Sequence, residues 1–444
     1  MLVKILFDVV IVGLVILIFK RINVGLYLVF FAKILIPYYV SFSIGSIEFA
    51  MYDIISLAIL CSLLLHIQTR RKMPYNVAVV LWLPLVSGLL LIFLSSGYVP
   101  YDYQLKSLVK NIFLGEIVFL FAFYYCATKF NLSVFFKHFL IICIVCGIYG
   151  IVAYAMGVNP YITMLSYTYT GAEFAFAYFL DEVRGFLLGR ASGTFTHPLI
   201  WGKFWTMAIA FLLCVRKNLN VYLLYLGITI GIVNVVLCGS RTAAIAMLVF
   251  LAFYCLSLGK RKIILFSSIL LIICFSVAML PENLDLIGQD KILYAKSIVF
   301  FWDDSYSMQL GINGSNAAMR QSQMDAVSNL VFLSPIAGLG FNYQYYVLEN
   351  SSVFIAALRG MESVVIKKLV EQGICGLICF VFVLWSLYRE TVTKIHSRTD
   401  FLCFTGFFVA FIASACMSGI QGGNWVLFVS LVFVLLHHYK GIGS

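Results

Sequence analysis

Long apolar stretches, separated by short polar connectors, make up most of this chain. Successive apolar runs of about 15 to 23 residues recur, and each is close to the roughly 20 residues that a helix needs to cross a bilayer. The runs are continuous rather than alternating, which is not the pattern of an outer-membrane β-barrel. Because backbone groups inside lipid must be satisfied within their own segment, the pattern predicts an all-α polytopic integral membrane protein.

The apolar runs predict about 12–14 membrane-spanning helices. We place them at residues 4–20, 22–42, 48–68, 76–95, 107–128, 138–157, 200–215, 219–238, 242–258, 263–280, 363–388, 401–419 and 425–439. The chain then divides into N-terminal transmembrane helices (1–157), a first long loop (158–199), further transmembrane helices (200–280), a large loop (281–362) and C-terminal transmembrane helices (363–444). The large loop is expected to contain short helices.

The composition agrees with this assignment. Of the 444 residues, 63% are hydrophobic and only 11% are charged, whereas about 25% of the residues of an average soluble domain are charged. All cysteines lie inside apolar runs, and the C-x-x-C pair Cys143 and Cys146 is expected to pack as small apolar residues. The first apolar run contains Asp8 and no small-residue cleavage site, so we interpret it as a retained helix rather than a signal peptide.

The distribution of charge predicts the orientation in the membrane. The net charge is +11, and basic clusters such as Lys20-Arg21 and Lys260-Arg261-Lys262 lie in connectors between apolar runs. This is the positive-inside pattern of membrane proteins, and it argues against a basic surface for nucleic acid. Of the 19 acidic residues, only Glu390 and Asp400 then fall in inward connectors. The connectors that face outward are 96–106, 158–199, 239–241, 281–362 and 420–424.

Three outward arginines are candidate ligands for an anion. Arg190 lies in GRASGTFTHPLIWG, Arg241 in CGSRTAAIAML and Arg320 in NAAMRQSQMDAV. Arg241 follows a tight turn between two apolar helices, and Ser240 is the predicted N-cap of the second helix. A helix start favours anions over cations, so a cation there indicates an external anionic partner, and a guanidinium group binds phosphate oxygens bidentately. The alternatives are ordinary surface arginines and, for Arg241, a side chain that reaches the lipid headgroups.

Further candidates lie near the end of the large loop and at a helix entrance. Glu362 is a candidate general base, although an acid in the first turn of a helix is also ordinary. Lys368 is a candidate supporting residue, and Lys367 and Glu371 are spaced to pair with each other. His197 could support the site, although a lone histidine is more often structural than catalytic.

Gly338 and Gly340 lie in PIAGLGF. They lack the third glycine and the strand-to-helix context of a dinucleotide fingerprint, so they predict a tight loop that allows close approach of the backbone. The sequence contains no Asp-x-Asp, no His-x-x-x-His and no acidic cluster with the spacing of metal ligands. We therefore expect no metal and no other cofactor.

Four stretches, in this order, resemble the bacterial O-antigen polymerase and O-antigen ligase superfamily. They are RASGTFTHPLIWG, GSRTAAIAMLV, Arg320 followed by SPIAGLGF, and ESVVIKKLVEQGICGL, within residues 185–385. The resemblance implies an inverting, metal-independent membrane glycosyltransferase whose donor is a glycan on undecaprenyl diphosphate. In that superfamily outward arginines bind the diphosphate, which points to Arg190, Arg241 and Arg320. Where ligases carry a histidine proposed as the base, this chain has Glu362.

The glutamate at that position favours the polymerase branch. The expected function is polymerisation of lipid-linked repeat units into O-antigen, capsular or exopolysaccharide at the periplasmic face of the bacterial inner membrane. The first alternative is a ligase that transfers the glycan to lipid A core. The second is a glycolipid flippase, which the mostly apolar helix interiors and the lack of an internal repeat argue against. The expected partners are lipid-linked glycan donor and acceptor, membrane lipids and a chain-length regulator, with no nucleic acid.

Overall fold

The computed structural model describes residues 2–37, 40–44, 47–66, 73–95, 97–169, 190–279, 289, 292–293, 296, 305–309, 317–350, 363–419 and 423–442. These parts are almost entirely helical, and each predicted span contains a helix. The strands described are β1 (Ser41–Ile44) and β2 (Ile47–Ala50), which pair as a short antiparallel hairpin. The second predicted span therefore ends at Leu35 rather than at residue 42, because the chain turns into this hairpin.

The helices of the N-terminal half are α1 (Leu2–Lys20), α2 (Ile22–Leu35), α3 (Met51–His66), α4 (Tyr75–Leu94), α5 (Tyr101–Ser107), a π-helix (Leu108–Ile117), α6 (Val118–Ala127), α7 (Leu132–Ala155), α8 (Pro160–Thr168) and α9 (Pro198–Cys214). The chain then makes a 3₁₀ turn (Arg216–Asn218). The helices described after this turn are α10 (Val221–Leu237), α11 (Arg241–Leu258), α12 (Lys260–Met279), α13 (Ser305–Gln309), α14 (Ala317–Leu333), α15 (Tyr343–Asn350), α16 (Val364–Val392), α17 (Arg398–Ser418) and α18 (Asn424–Ile442).

Several of these helices have the dimensions of membrane spans. Within the described parts of the chain, six helical segments are long and apolar enough to cross a membrane: Tyr75–Leu94, Tyr101–Ala127, Leu132–Ala155, Arg241–Leu258, Val364–Val392 and Arg398–Ser418. Shorter apolar helices, among them α2, α9 and α10, pack with them. The chain is an all-α polytopic membrane protein, as the sequence predicts.

α9 is the central helix of the bundle. It packs against α7, α10, α11, α17 and α18, and nearly all of its side chains are buried. The rings of Trp201, Phe204 and Trp205 pack together within it, with centroids 5.4 to 5.8 Å apart. Trp201 Nε1 donates to Asn234 Oδ1 on α10 at 3.1 Å, and Asn234 Nδ2 donates to the Gly147 carbonyl on α7 at 3.0 Å. The aromatic core thus carries a paired polar network that joins three helices.

α9 also carries a buried lysine. The Lys203 side chain donates through Nζ to the carbonyls of Ser418, at 2.7 Å, and Gly419, and the residue is only 2% exposed. The last carbonyls of a helix have no partner within it, and a cation near them is electrostatically favourable. Lys203 therefore attaches the C-terminal end of α17 to the central helix. The sequence signal for this contact is the presence of a lysine inside an apolar run, which indicates a buried partner.

The long helix α16 is broken at Gly373, which has φ 62° and ψ −165°. The segment Ser334–Phe341, which we call the glycine loop, runs alongside this break. The loop donates two backbone hydrogen bonds to the helix before the break, from Leu339 N to Val370 O at 2.8 Å and from Gly340 N to Glu371 O at 3.2 Å. The helix donates two to the loop after the break, from Ile374 N to Pro335 O at 2.9 Å and from Cys375 N to Ile336 O at 3.2 Å. The predicted span 363–388 is therefore two helical segments rather than one, and the loop pairs with the backbone groups that the break releases.

Replacing Gly373 by alanine should destabilise the protein. An added Cβ would collide with the Ile336 carbonyl, and a non-glycine residue in this backbone conformation costs about 1–3 kcal/mol. The melting temperature of the detergent-solubilised protein should fall for Gly373→Ala. Gly13→Ala is the control, because a Cβ there meets no atom within 4 Å and no positive φ is required. Equal melting temperatures for both variants would contradict this account of the break.

Replacing Lys203 by methionine should also lower the melting temperature. The substitution keeps the apolar stem but removes the donor to Ser418 and Gly419, and a buried carbonyl without a partner costs about 1–3 kcal/mol. The matched control is Lys217→Met, because the Lys217 ammonium pairs with Asp400 at 3.1 Å but is 65% exposed. Exposed pairs contribute about 1 kcal/mol or less. A larger loss of stability in Lys217→Met than in Lys203→Met would refute the prediction.

Candidate functional site

The side chain of one predicted arginine, Arg190, contacts the turn that directly precedes another, Arg241. Arg190 Nε donates to the Cys238 carbonyl at 2.9 Å, and the next residue, Ala191, donates its backbone N–H to the Leu237 carbonyl at 3.0 Å. Leu237 ends α10, and Arg241 begins α11 directly after the turn. Arg190 therefore lies beside the turn from which Arg241 projects, and both side chains are half-buried. We call Arg190, Ser240 and Arg241 the arginine cluster.

The start of α11 is fixed against the central helix. Ser240 Oγ accepts the Ala243 N–H at 3.2 Å, which confirms the predicted N-cap. The Gly202 backbone comes so close to the turn that an added Cβ would lie 2.6 Å from Cys238 Sγ. Thr206 Oγ1 donates to the Ala243 carbonyl at 3.2 Å. The position of Arg241 is thus set by close packing of α9 on this turn.

The segment that follows Arg190 is held from several directions. Asn159 Nδ2 donates to Ser192 Oγ at 3.1 Å and to the Gly193 carbonyl at 2.8 Å. Thr194 Oγ1 donates to the carbonyl of Ile34, near the end of α2, at 2.8 Å. Sequence reasoning missed Asn159. Its signal is an asparagine directly before a proline at a helix start, and Asn159 does cap α8.

His197 occupies a structural position. Its Nδ1 accepts the Leu199 N–H at 3.0 Å, so the imidazole caps the N-terminus of α9. A cap needs an acceptor, which fixes Nδ1 as the unprotonated nitrogen in this contact. The geometry favours the structural alternative for His197 over a catalytic one.

The glycine loop makes the close backbone approach that its two glycines predict. A Cβ on Gly338 would collide with the backbone of Glu371, and one on Gly340 would lie 3.1 Å from the Gln104 side chain. Gln104 is fully buried, and its Oε1 accepts the Phe341 N–H at 2.8 Å. Gln104, which sequence reasoning also missed, therefore joins the glycine loop to α5.

Charged side chains lie on α16 just before its break. Lys368 Nζ donates to Gln372 Oε1 at 3.0 Å. Lys367 Nζ lies 3.8 Å from Glu371 Oε1, as their spacing predicts, and Glu371 is buried. Tyr343, at the start of α15, lies against this region, and burial raises the pKa of its hydroxyl above the ordinary value of 10. Tyr343 is therefore neutral at physiological pH and can donate a hydrogen bond but not act as a base.

For two predicted site residues, Arg320 and Glu362, the side chain lies outside the described part of the structure. Arg320 lies in the first turn of α14, but its side chain is outside the described part of the structure. α14 packs on α16, where Val327 is buried with Leu339 and Val370. Glu362 lies outside the described residues, which resume at Ser363. The roles assigned to Arg320 and Glu362 stay predictions.

The arginine cluster and the glycine loop are connected through α17. This helix packs against α16 on one side and against α9 and α11 on the other. Lys203 holds the end of α17 to α9. The preceding residue, Gly202, packs closely against the turn of the arginine cluster. Among the described residues, no group of three or more His, Cys, Asp or Glu side chains could hold a metal ion.

The chain was compared with known protein families and with curated proteins. Residues 224–381 match the family model described as O-antigen ligase. No curated protein matches the chain. The matched range contains Arg241, Arg320, the glycine loop and the break in α16, while Arg190 precedes it. The match supports the O-antigen polymerase and ligase superfamily that the four motifs indicate.

Proposed function

We propose that this protein polymerises lipid-linked oligosaccharide repeat units into O-antigen, capsular or exopolysaccharide. The observation that carries the proposal is that Arg190 binds the Cys238 carbonyl in the turn directly before Arg241, in a chain whose residues 224–381 match the O-antigen ligase family model. Two arginines beside one short turn suit the two phosphates of a polyprenyl diphosphate, because a guanidinium group binds phosphate oxygens bidentately and keeps its charge. Arg320 is proposed as a third ligand of the diphosphate.

The proposed reaction is an inverting glycosyl transfer. A hydroxyl oxygen of the acceptor repeat attacks the anomeric carbon of the lipid-linked donor chain and forms the new glycosidic bond. The bond from that carbon to the diphosphate oxygen breaks, and undecaprenyl diphosphate leaves with the electron pair. The arginines stabilise the charge that develops on this leaving group. Glu362 is the proposed general base that takes the proton of the acceptor hydroxyl.

The acceptor distinguishes polymerase from ligase, since both would use the same donor. The ligases that this chain resembles carry a histidine at the position of Glu362. The glutamate in its place favours a polymerase. The proposed location is the bacterial inner membrane with the site facing the periplasm. This follows from the basic connectors, which favour an inward placement of Lys260, Arg261 and Lys262 and hence an outward placement of Arg241.

Arg241→Ala should abolish long-chain polysaccharide while leaving the protein in the membrane. Loss of one preorganised donor to a developing anion lowers the rate by roughly a hundredfold to a thousandfold. Arg241→Lys keeps the charge without the bidentate geometry, so we expect an intermediate loss. Polysaccharide length is measured on gels of surface extracts, with the protein quantified by immunoblot. Arg261→Ala, in the exposed first turn of α12, is the control. Normal chain lengths in Arg241→Ala would contradict the diphosphate assignment.

Deletion of the gene separates polymerase, ligase and flippase. For an O-antigen polymerase, the mutant should display single repeat units on core lipid. A ligase mutant would instead show undecorated core together with full-length lipid-linked chains. A flippase mutant would accumulate lipid-linked repeats on the cytoplasmic side. Gel analysis of lipopolysaccharide, together with mass spectrometry of lipid-linked intermediates, distinguishes these results, and either of the last two would refute the polymerase.

A further inference from the structure

A cavity lies where the ends of α6 and α18 meet the start of α7. One side of it is lined by Thr128, Phe130 and Leu132, and the other side by His437, Lys440 and Gly441. We call it the basic cavity. Its volume is about 280 Å³, close to the lower limit of the roughly 300–1,000 Å³ that is usual for small-molecule sites. Thr128, Lys440 and Gly441 are exposed, so the basic cavity opens to the surface of the protein.

The walls of the basic cavity are held by contacts between α6 and α18. The ring centroid of Tyr124 on α6 lies 5.1 Å from that of Phe433 and 5.2 Å from that of His437, both on α18. His437 Nε2 also lies 3.3 Å from the Tyr124 carbonyl. Thr128 Oγ1 donates to the Tyr125 carbonyl at 2.8 Å. The side chains on both sides of the basic cavity therefore have fixed positions.

The basic cavity lies at the opposite end of the bundle from the arginine cluster. Asn424 Nδ2, at the start of α18, lies 3.4 Å from the Ile200 carbonyl in the first turn of α9. At the other end of both helices, His438 Nε2 lies 3.3 Å from Asn218 Nδ2, shortly after α9. The 19 residues of α18 span about 28 Å, close to the roughly 30 Å of the apolar core of a bilayer. The basic cavity therefore lies at the level of the lipid headgroups.

Two lysines give the basic cavity its charge. Lys440 lines it, Lys129 directly follows Thr128, and both lysines are exposed. His437 adds a third positive charge when it is protonated. A ligand of this cavity should therefore be an anion.

The carboxylates at this end of the bundle have other partners. In the predicted inward connectors the acidic residues are Glu390 and Asp400. Glu390 Oε2 accepts from Asn76 Nδ2 at 2.8 Å, and Asp400 Oδ2 accepts from Lys217 Nζ at 3.1 Å. Neither carboxylate lines the basic cavity.

Cations near the ends of α6 and α18 have an alternative explanation. The last carbonyls of a helix attract positive charge, so a lysine there can serve the helix alone. This alternative accounts for Lys129 and Lys440 but not for a cavity of this size beside them. It predicts that removal of either lysine affects stability and not the binding of a ligand.

The lining of the basic cavity is amphipathic, as a membrane lipid is. Lysine binds phosphate as a point charge, and basic pockets between membrane helices bind anionic headgroups. Phe130 and Leu132 add apolar walls next to the charged groups. A small soluble phosphate compound would use only the charged part of this lining, whereas a phospholipid would use both parts.

We propose that the basic cavity binds the phosphate headgroup of an anionic phospholipid from the surrounding bilayer. Lys440 and Lys129 attract the phosphate, and Phe130 and Leu132 contact the glycerol and the first carbons of the acyl chains. The site is separate from the proposed transfer reaction, because it lies at the other end of the bundle. It therefore stands or falls independently of the polymerase assignment.

The test is lipid binding to the full-length protein in detergent, measured by native mass spectrometry. The probes are phosphatidylglycerol, which is anionic, and phosphatidylcholine, whose headgroup has no net charge. Phosphatidylglycerol should bind more tightly. Lys440→Met and Lys129→Met should each weaken its first binding step by about fivefold, as expected for one lysine near anionic phosphate. Both variants should bind phosphatidylcholine as the unaltered protein does.

Two further variants separate the cavity from general surface charge. Lys137→Met is the matched control, because Lys137 is exposed at the same end of α7 but does not line the basic cavity. It should bind phosphatidylglycerol normally. Gly441→Trp keeps every charge but fills the cavity, and a Cβ added at Gly441 meets no atom within 4 Å. It should weaken phosphatidylglycerol binding at least as strongly as Lys440→Met. The melting temperature of each variant reports on its folding.

Four results would overturn the proposal. The first two are equal affinity for both lipids and equal losses in Lys137→Met and Lys440→Met. The third is normal phosphatidylglycerol binding in folded Gly441→Trp, which would leave surface charge as the cause. The fourth is displacement of the lipid by excess inorganic phosphate, which would assign the cavity to a soluble phosphate compound. Lower melting temperatures with unchanged lipid binding in the lysine variants would support the helix-end alternative instead.

Discussion

Backbone groups removed from water must find partners inside the protein, and this constraint shapes the region around α16. A break in a membrane helix is tolerated only where other protein groups pair with the N–H and carbonyl groups it releases. Here the glycine loop supplies those partners on both sides of Gly373. The same loop reaches α5 through Gln104, so that one set of hydrogen bonds holds segments far apart in sequence. The fold of the C-terminal half depends on this pairing.

Cations at helix ends provide the second organising interaction. Lys203 binds the last carbonyls of α17, and Arg190 binds the Cys238 carbonyl at the end of α10. Both positions are electrostatically favourable, because the C-terminal end of a helix carries partial negative charge. Arg241 differs, since it begins α11, where the helix dipole disfavours a cation. The contrast supports an anionic ligand for Arg241, as the proposed function requires.

The first 150 residues contribute more than apolar surface. Their predicted interiors are mostly apolar, which favours an enzyme over a transporter. Lys33 and Glu116 are exceptions to this pattern, and the Lys33 ammonium lies 4.2 Å from the ring centroid of Tyr52 and 4.9 Å from that of Phe119. Among the N-terminal helices, α4 packs against α16 and α7 against α10, both within or overlapping the residues that match the O-antigen ligase family model.

The sequence by itself determined the membrane class, the approximate helix positions, the Ser240 cap and the tight glycine loop. These features depend on apolar run length, local capping chemistry and glycine conformations, all of which act over a few neighbouring residues. Only the tertiary structure decided that Arg190 meets the turn before Arg241 and that α16 breaks at Gly373. It also decided that His197 caps α9 and that Lys203 anchors the C-terminal end of α17. Apart from the local cap at His197, each of these contacts joins residues that are distant in sequence. Apolar patterning specifies which helices are buried but not which buried polar groups pair with one another.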